Sequence, residues 1–161
     1  MKRNEEVLSR LSELFDEETA FIGLGNMDRG DDAAGLLIVD TLSREKPGHF
    51  YSERQGLEAD ILDLIKRSRI GRMIFVDSSD FRAQPGEFRL FRREDIEHDQ
   101  ISSHKIPLSI YAALLEMSGK EIFILGIQPK SLEYGTELSD EVTRAISEIE
   151  KTLRARLTEL S

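Results

Sequence analysis

The chain of 161 residues contains no cysteine. That absence excludes disulfides, thiolate nucleophiles and cysteine-based zinc sites together, and it fits a cytoplasmic location. Positive charge is also scarce: 22 Lys and Arg face 31 Asp and Glu, for a formal net charge of −9. A protein that neutralises phosphates needs a basic face, so no nucleic-acid partner is expected. No apolar run approaches the roughly 20 residues of a membrane span. The start, Met1 to Leu8, lacks an uninterrupted apolar stretch, so neither a signal peptide nor a membrane partner is expected. Repeats and low-complexity segments are absent, and residues 1–161 suit a single domain with a full core.

Several catalytic patterns are missing as well. There is no Gly-x-Ser-x-Gly elbow, no His-Glu-x-x-His and no Gly-x-x-x-x-Gly-Lys-Ser/Thr loop. Ser78, Ser79, Ser102 and Ser103 have no evident base beside them in sequence, and pairing with His104 in space stays open.

What stands out instead is the stretch from Gly23 to Ala33, which reads Gly-Leu-Gly-Asn-Met-Asp-Arg-Gly-Asp-Asp-Ala. Ala20-Phe21-Ile22 leads into it and an apolar helical pattern, Ala33 to Leu42, leads out, predicting strand, tight turn and helix. Two adjacent carboxylates, Asp31 and Asp32, therefore open a helix beyond the C-terminal end of a strand, the edge where open α/β sheets bind ligands. The Gly-x-Gly is not a dinucleotide fingerprint. The required third glycine is Asp28 here, and Asp28, Asp31 and Asp32 would repel a pyrophosphate. Helix capping and the helix dipole would account for one of the two aspartates. An acidic turn carrying both suits a cation or a cationic group.

Along the chain, Val7, Leu8, Leu11, Leu14 and Phe15 recur at helical spacing, predicting a helix at about 3–15. Strands are predicted at 19–24, 49–54, 72–77, 87–91 and 121–127, and helices at 33–44, 57–66, 106–117 and after Ser139, which caps the last. The continuous apolar run Met73 to Val76 marks a strand buried on both faces, as in parallel sheets. Only a short turn, Gln84-Pro85-Gly86, separates it from the next strand, which predicts antiparallel pairing for 86–91. The alternation implies a three-layer α/β/α sandwich around a five-stranded, mostly parallel, twisted sheet.

Three residues converge on one edge of such a sheet. Asp32 follows the first strand, Asp77 ends the 72–77 strand, and His104 sits in a loop just before a helix. Two carboxylates and an imidazole suit a divalent first-row metal such as nickel or zinc, with positions left open for substrate or water. Each also has an ordinary explanation: Asp77 as the cap of the turn amides at Ser78–Asp80, His104 as a loop histidine. Asp80 is a rival ligand to Asp77. His49, at a strand start, and His98, in the polar stretch 93–100, are expected to be solvated.

With these motifs in place, the chain resembles the maturation endopeptidases of nickel–iron hydrogenases, especially the branch serving formate-hydrogenlyase-type enzymes. Gly23-Leu24-Gly25-Asn26 with Asp31-Asp32-Ala33-Ala34-Gly35 matches their opening motif, Val76-Asp77 their second acidic residue, Ser103-His104 their histidine loop, and Ile124 to Pro129 their late strand. The resemblance covers about residues 19–155 and leaves the N-terminal helix as an addition. The chain departs from the pattern at Ala33, where a glycine is usual, and at Leu57, which bears on how a substrate tail is gripped.

The resemblance implies an endopeptidase that removes the C-terminal extension of a hydrogenase large-subunit precursor after nickel insertion. Asp32, Asp77 and His104 would bind the precursor's nickel, a recognition element belonging to the substrate, and no organic cofactor is implied. Hydrolysis would use the metal to polarise the carbonyl or activate water, or a carboxylate, Asp31 or Asp32, as general base. Rival readings are a non-catalytic nickel-checking chaperone, a metal-dependent hydrolase of small molecules on the same fold, and an interaction module whose acidic turn is only a cap. A monomer is expected for a chain that docks on a larger protein.

Overall fold

The computed structural model describes residues 2–53, 63, 64, 66, 69–92, 95, 102, 103, 113, 114 and 116–160. Six strands occur among them: β1 (Thr19–Gly23), β2 (Phe50–Ser52), β3 (Arg72–Asp80), β4 (Phe88–Arg92), β5 (Ser102–Ser103) and β6 (Glu121–Ile127). The long helices are α1 (Lys2–Leu14), α2 (Ala34–Glu45) and α3 (Asp140–Leu160). Five strands form the main sheet in the order β2-β1-β3-β6-β4. The first four run parallel, and β4 lies antiparallel on β6. The α/β class and the five-stranded, mostly parallel sheet agree with the expectation from sequence. The helices predicted at 57–66 and 106–117 fall mostly outside the described residues; residues 63, 64, 66, 113, 114, 116 and 117 are helical.

β4 is antiparallel as expected, yet its neighbour is β6 and not β3, the strand that precedes it. The edge of β3 on that side is already taken by β6, from Arg72 to Ser78. Gln128, just past β6, secures the detour. Its Oε1 accepts the Phe81 and Ala83 amides at 2.9 and 3.2 Å, while its own N–H donates to Glu87 O.

Strand alternation sorts the core into two layers. Phe21, Ile74, Val76, Phe123, Leu125 and Ile127 face the three long helices, whereas Ala20, Ile22, Met73, Phe75, Ile122 and Ile124 line the opposite face with Leu64. The N-terminal helix belongs to the first layer. Leu11, Leu14 and Phe15 are buried there, and the Phe15 ring meets Phe21 edge-on at 4.9 Å. Burying three such side chains contributes on the order of 5 kcal/mol before entropy. Asn4 ties α1 to the edge strand, donating to Gly86 O and accepting from the Phe88 N–H, both at 3.2 Å.

His49 is not solvated. It is buried, its Nδ1 lies 2.8 Å from Thr19 O, and its ring packs on Phe15 and Phe50. The apolar layer under α1 covers a strand start that alternation alone leaves open. His98 lies outside the described residues.

Candidate functional site

The chain leaves β1 towards β2 on one side and leaves β3 towards β6 and β4 on the other. The carboxyl ends of β1 and β3 therefore bracket a topological switch point, where open α/β sheets form a crevice. Asp32 follows β1 and Asp77 lies within β3. Asp77 does not end its strand, as the sequence suggested. β3 runs three residues further, because β5 pairs its end at Ser79↔Ser103 and Asp80↔Ser102.

The glycines of the opening motif bring α2 and the acidic turn onto these strand ends. A Cβ on Gly35 would lie 2.1 Å from Val76 O and 2.8 Å from Leu24 O, so the first turn of α2 rests directly on β1 and β3. Gly25 has φ +143°, and a Cβ there would lie 1.9 Å from Asp32 O. This close approach lets the Asn26 N–H donate to Asp32 O at 3.3 Å. The Gly25 N–H itself donates to Glu53 Oε2 at 2.9 Å. An amide that a dinucleotide fold would aim at phosphate is thus occupied by a carboxylate.

The two adjacent aspartates part company at once. Neither caps α2: the residue before it is Ala33, with no side-chain cap, and both aspartates sit in a 3-10 turn, Gly30–Ala33. Asp31 is buried and accepts four donors, the backbone N–H groups of Lys130 (2.8 Å), Ser131 (3.3 Å) and Ser139 (2.8 Å) and the Ser139 hydroxyl (2.9 Å). That removes Asp31 as a general base, since its oxygens are committed to the loop leading into α3. Ser139 caps α3 as predicted, accepting the Val142 N–H at 3.3 Å.

Asp32 is 1 % exposed. Its Oδ1 accepts the Ser78 hydroxyl at 2.6 Å, while Oδ2 is buried with no hydrogen-bond partner among the described residues. Leaving a charged oxygen buried and unsatisfied costs at least about 1–3 kcal/mol. An oxygen so placed could accept a cation. Asp77 is fully buried one position before Ser78, opposite Gly126 of β6. Asp80 stands exposed at the end of β3, its Oδ1 accepting the Arg82 N–H (3.0 Å) and Gln128 Nε2 (3.2 Å). His104 lies outside the described residues, as do Gly56 and Leu57; β5 ends at Ser103, the residue before it. Among the described residues no group of three His, Asp or Glu stands close enough to hold a metal ion. Asp32 and Asp77 thus lie at the carboxyl-end side of neighbouring strands, and Asp32 reaches Ser78, the residue after Asp77.

At this edge Glu53 escaped the sequence reading, and Ser78 was weighed there only as a nucleophile and a turn residue. Glu53 follows the short strand β2, where nothing in the alternation singles it out. Ser78 follows Asp77, but its partner is 46 positions away, a pairing that local pattern does not reveal.

A protein-family model described as hydrogenase maturation protease matches residues 57–155. The hydrogenase 3 maturation protease of Escherichia coli K12 is 29% identical over 133 residues, covering 81% of this chain and 85% of its own length. The solution structure of the endopeptidase HycI from Escherichia coli aligns with a TM-score of 0.69 and 25% identity, over 83% of this chain and 86% of that one. The crystal structure of a [NiFe] hydrogenase maturation protease from Thermococcus kodakarensis shares the fold, with a TM-score of 0.76 and 24% identity, over 92% of this chain and 99% of that one. No helix among the described residues is long and apolar enough to cross a membrane.

Proposed function

The chain belongs to the hydrogenase maturation protease family, and from that premise we propose that it is the endopeptidase that removes the C-terminal extension of a nickel–iron hydrogenase large-subunit precursor once nickel is in place. Asp32, Asp77 and His104 hold the nickel that the precursor brings, so the metal is part of the substrate. The protein acts as a cytoplasmic monomer on this one partner.

The observation that carries this reading is Asp32 Oδ2, a buried carboxylate oxygen with no partner among the described residues, at the carboxyl end of the sheet where the buried Asp77 also lies. Oxygen donors of this kind, joined by an imidazole, suit a divalent first-row metal. Ser103, the residue before His104 in the sequence, pairs with Ser79, two residues beyond Asp77. The bound metal polarises the scissile carbonyl or lowers the pKa of water.

Mass spectrometry of a large-subunit precursor incubated with the protein, with and without nickel loading, tests the proposal. A defined C-terminal loss in the nickel-loaded sample alone is expected. Binding without any loss would favour a checking chaperone, and equal cleavage without nickel would remove the metal from recognition.

A further inference from the structure

Asp32 is held at its backbone and at one oxygen of its side chain, and the second hold comes from a residue with no role assigned above. We propose that Ser78 is a positioning residue of this site: its hydroxyl occupies Asp32 Oδ1, so that Asp32 meets the precursor's nickel through Oδ2 alone. The proposal rests on the reading of Asp32 as a nickel ligand.

The geometry builds this up in three steps. The backbone of Asp32 is fixed first, by the Asn26 N–H on its carbonyl and by the close approach of Gly25. That leaves the carboxylate plane, whose χ2 torsion is intrinsically broad. Ser78 then sets the plane: at 2.6 Å its O–H···O⁻ bond is in the short, charge-assisted range, and both residues are 1 % exposed. The donor is itself rigid, because Ser78 pairs with Ile127 in the centre of the sheet. Partners of this sort orient metal ligands from behind and commonly matter 10- to 100-fold in affinity or activity, as a rough range.

The consequence concerns coordination positions. A carboxylate free at both oxygens takes two positions on a metal; one whose first oxygen is engaged by a hydroxyl takes one. The position saved stays open for the scissile carbonyl or for water, which a cleaving site requires. Ser78 is not the nucleophile. Its hydroxyl is buried, its proton is given to an aspartate, and no imidazole among the described residues accepts from it. Ser79 is a useful contrast, buried one residue further with its Oγ bonded to nothing among the described residues.

The test uses the full chain, a nickel-loaded precursor and nickel(II) alone as the spectroscopic probe. The variants are Ser78→Ala, the near-isosteric Ser78→Cys, Ser78→Thr, the control Ser79→Ala, and Asp32→Asn. Circular dichroism identifies the variants that fold. Difference infrared spectra at saturating nickel(II) then read the splitting between the two carboxylate stretches, wide for one-oxygen and narrow for two-oxygen coordination. Asp32→Asn identifies which band belongs to Asp32. Ser78→Ala and Ser78→Cys are expected to narrow that splitting and to lower kcat about tenfold or more with a smaller change in KM. Ser78→Thr restores both, and Ser79→Ala changes neither. Wild-type splitting and kcat in a folded Ser78→Cys or Ser78→Ala, with cleavage lost in Asp32→Asn, would overturn the role of Ser78 alone. Wild-type cleavage by Asp32→Asn would instead overturn the ligand assignment on which it rests.

Discussion

Asp31 accepts both the backbone N–H and the hydroxyl of Ser139, a residue 108 positions further along the chain, while its neighbour Asp32 has an oxygen that accepts nothing among the described residues. One aspartate of the pair stabilises the fold. The other stores an unmet electrostatic demand, as sites of binding and catalysis do.

Opposite effects on stability follow. Asp31→Ala leaves three buried or half-buried N–H donors and a hydroxyl without their acceptor, and a loss of about 2–4 kcal/mol is expected in urea unfolding. Asp32→Asn removes a buried charge and should leave stability unchanged or raise it, while cleavage of the nickel-loaded precursor disappears. Equal destabilisation by the two variants would contradict this division of labour.

Asp77→Asn tests the second carboxylate. The amide keeps the shape and removes the charge that a divalent ion needs, so cleavage of a nickel-loaded precursor should fall by roughly two orders of magnitude. Full-rate cleavage by this variant would show that Asp77 does not hold the metal.

Gly35→Ala tests how closely α2 must approach the sheet. The added methyl meets Val76 O at 2.1 Å, and backbone on both sides leaves it nowhere to go. Overpacking of this kind costs about 1–3 kcal/mol. Because α2 and the preceding turn move together, precursor cleavage should fall as well. An alanine variant with parental stability and cleavage would mean that α2 shifts without disturbing Asp32.

The pH dependence of stability has one clear acid-side contributor. Burial pushes the Asp16 carboxyl up, but hydrogen bonds from the Glu18 N–H, the Thr19 hydroxyl and the Arg72 guanidinium outweigh it and hold the group below its usual range. The unfolded chain therefore binds the proton more readily. The contribution is fully present above the ordinary aspartate pKa, near about 4, and is lost as pH falls through the lower folded value. The Asp16 side chain is 42% exposed, so solvent screening keeps the effect below about 1 kcal/mol. Urea unfolding of Asp16→Asn at about pH 3 and pH 6 should show a smaller difference in stability between the two than the parent chain.

Much of the arrangement was legible beforehand because it rests on local pattern. The run Met73 to Val76 marked a central strand, and both of its faces are packed. Ser139 marked the start of α3, where its hydroxyl accepts the Val142 N–H. Asp32 was singled out as following the first strand, and it does, whereas Asp77, read as ending its strand, lies three residues before the end of β3. His49 misled because a lone polar residue at a strand start carries no sign of the helix that covers it. The neighbour of β4 was equally hidden, since it depends on Gln128 holding a turn 45 and 47 positions away.

By itself the amino-acid sequence determined the α/β class, the strand and helix order and the acidic turn, because periodicity, glycine placement and capping act over a few residues. Only the tertiary structure decided that Asp31 binds the loop before α3, that Ser78 reaches Asp32, and that one oxygen of Asp32 has no partner among the described residues. Those are matters of which atoms fill which hydrogen-bonding positions across distances of 46 to 108 residues, and they exist only once the sheet has closed around them.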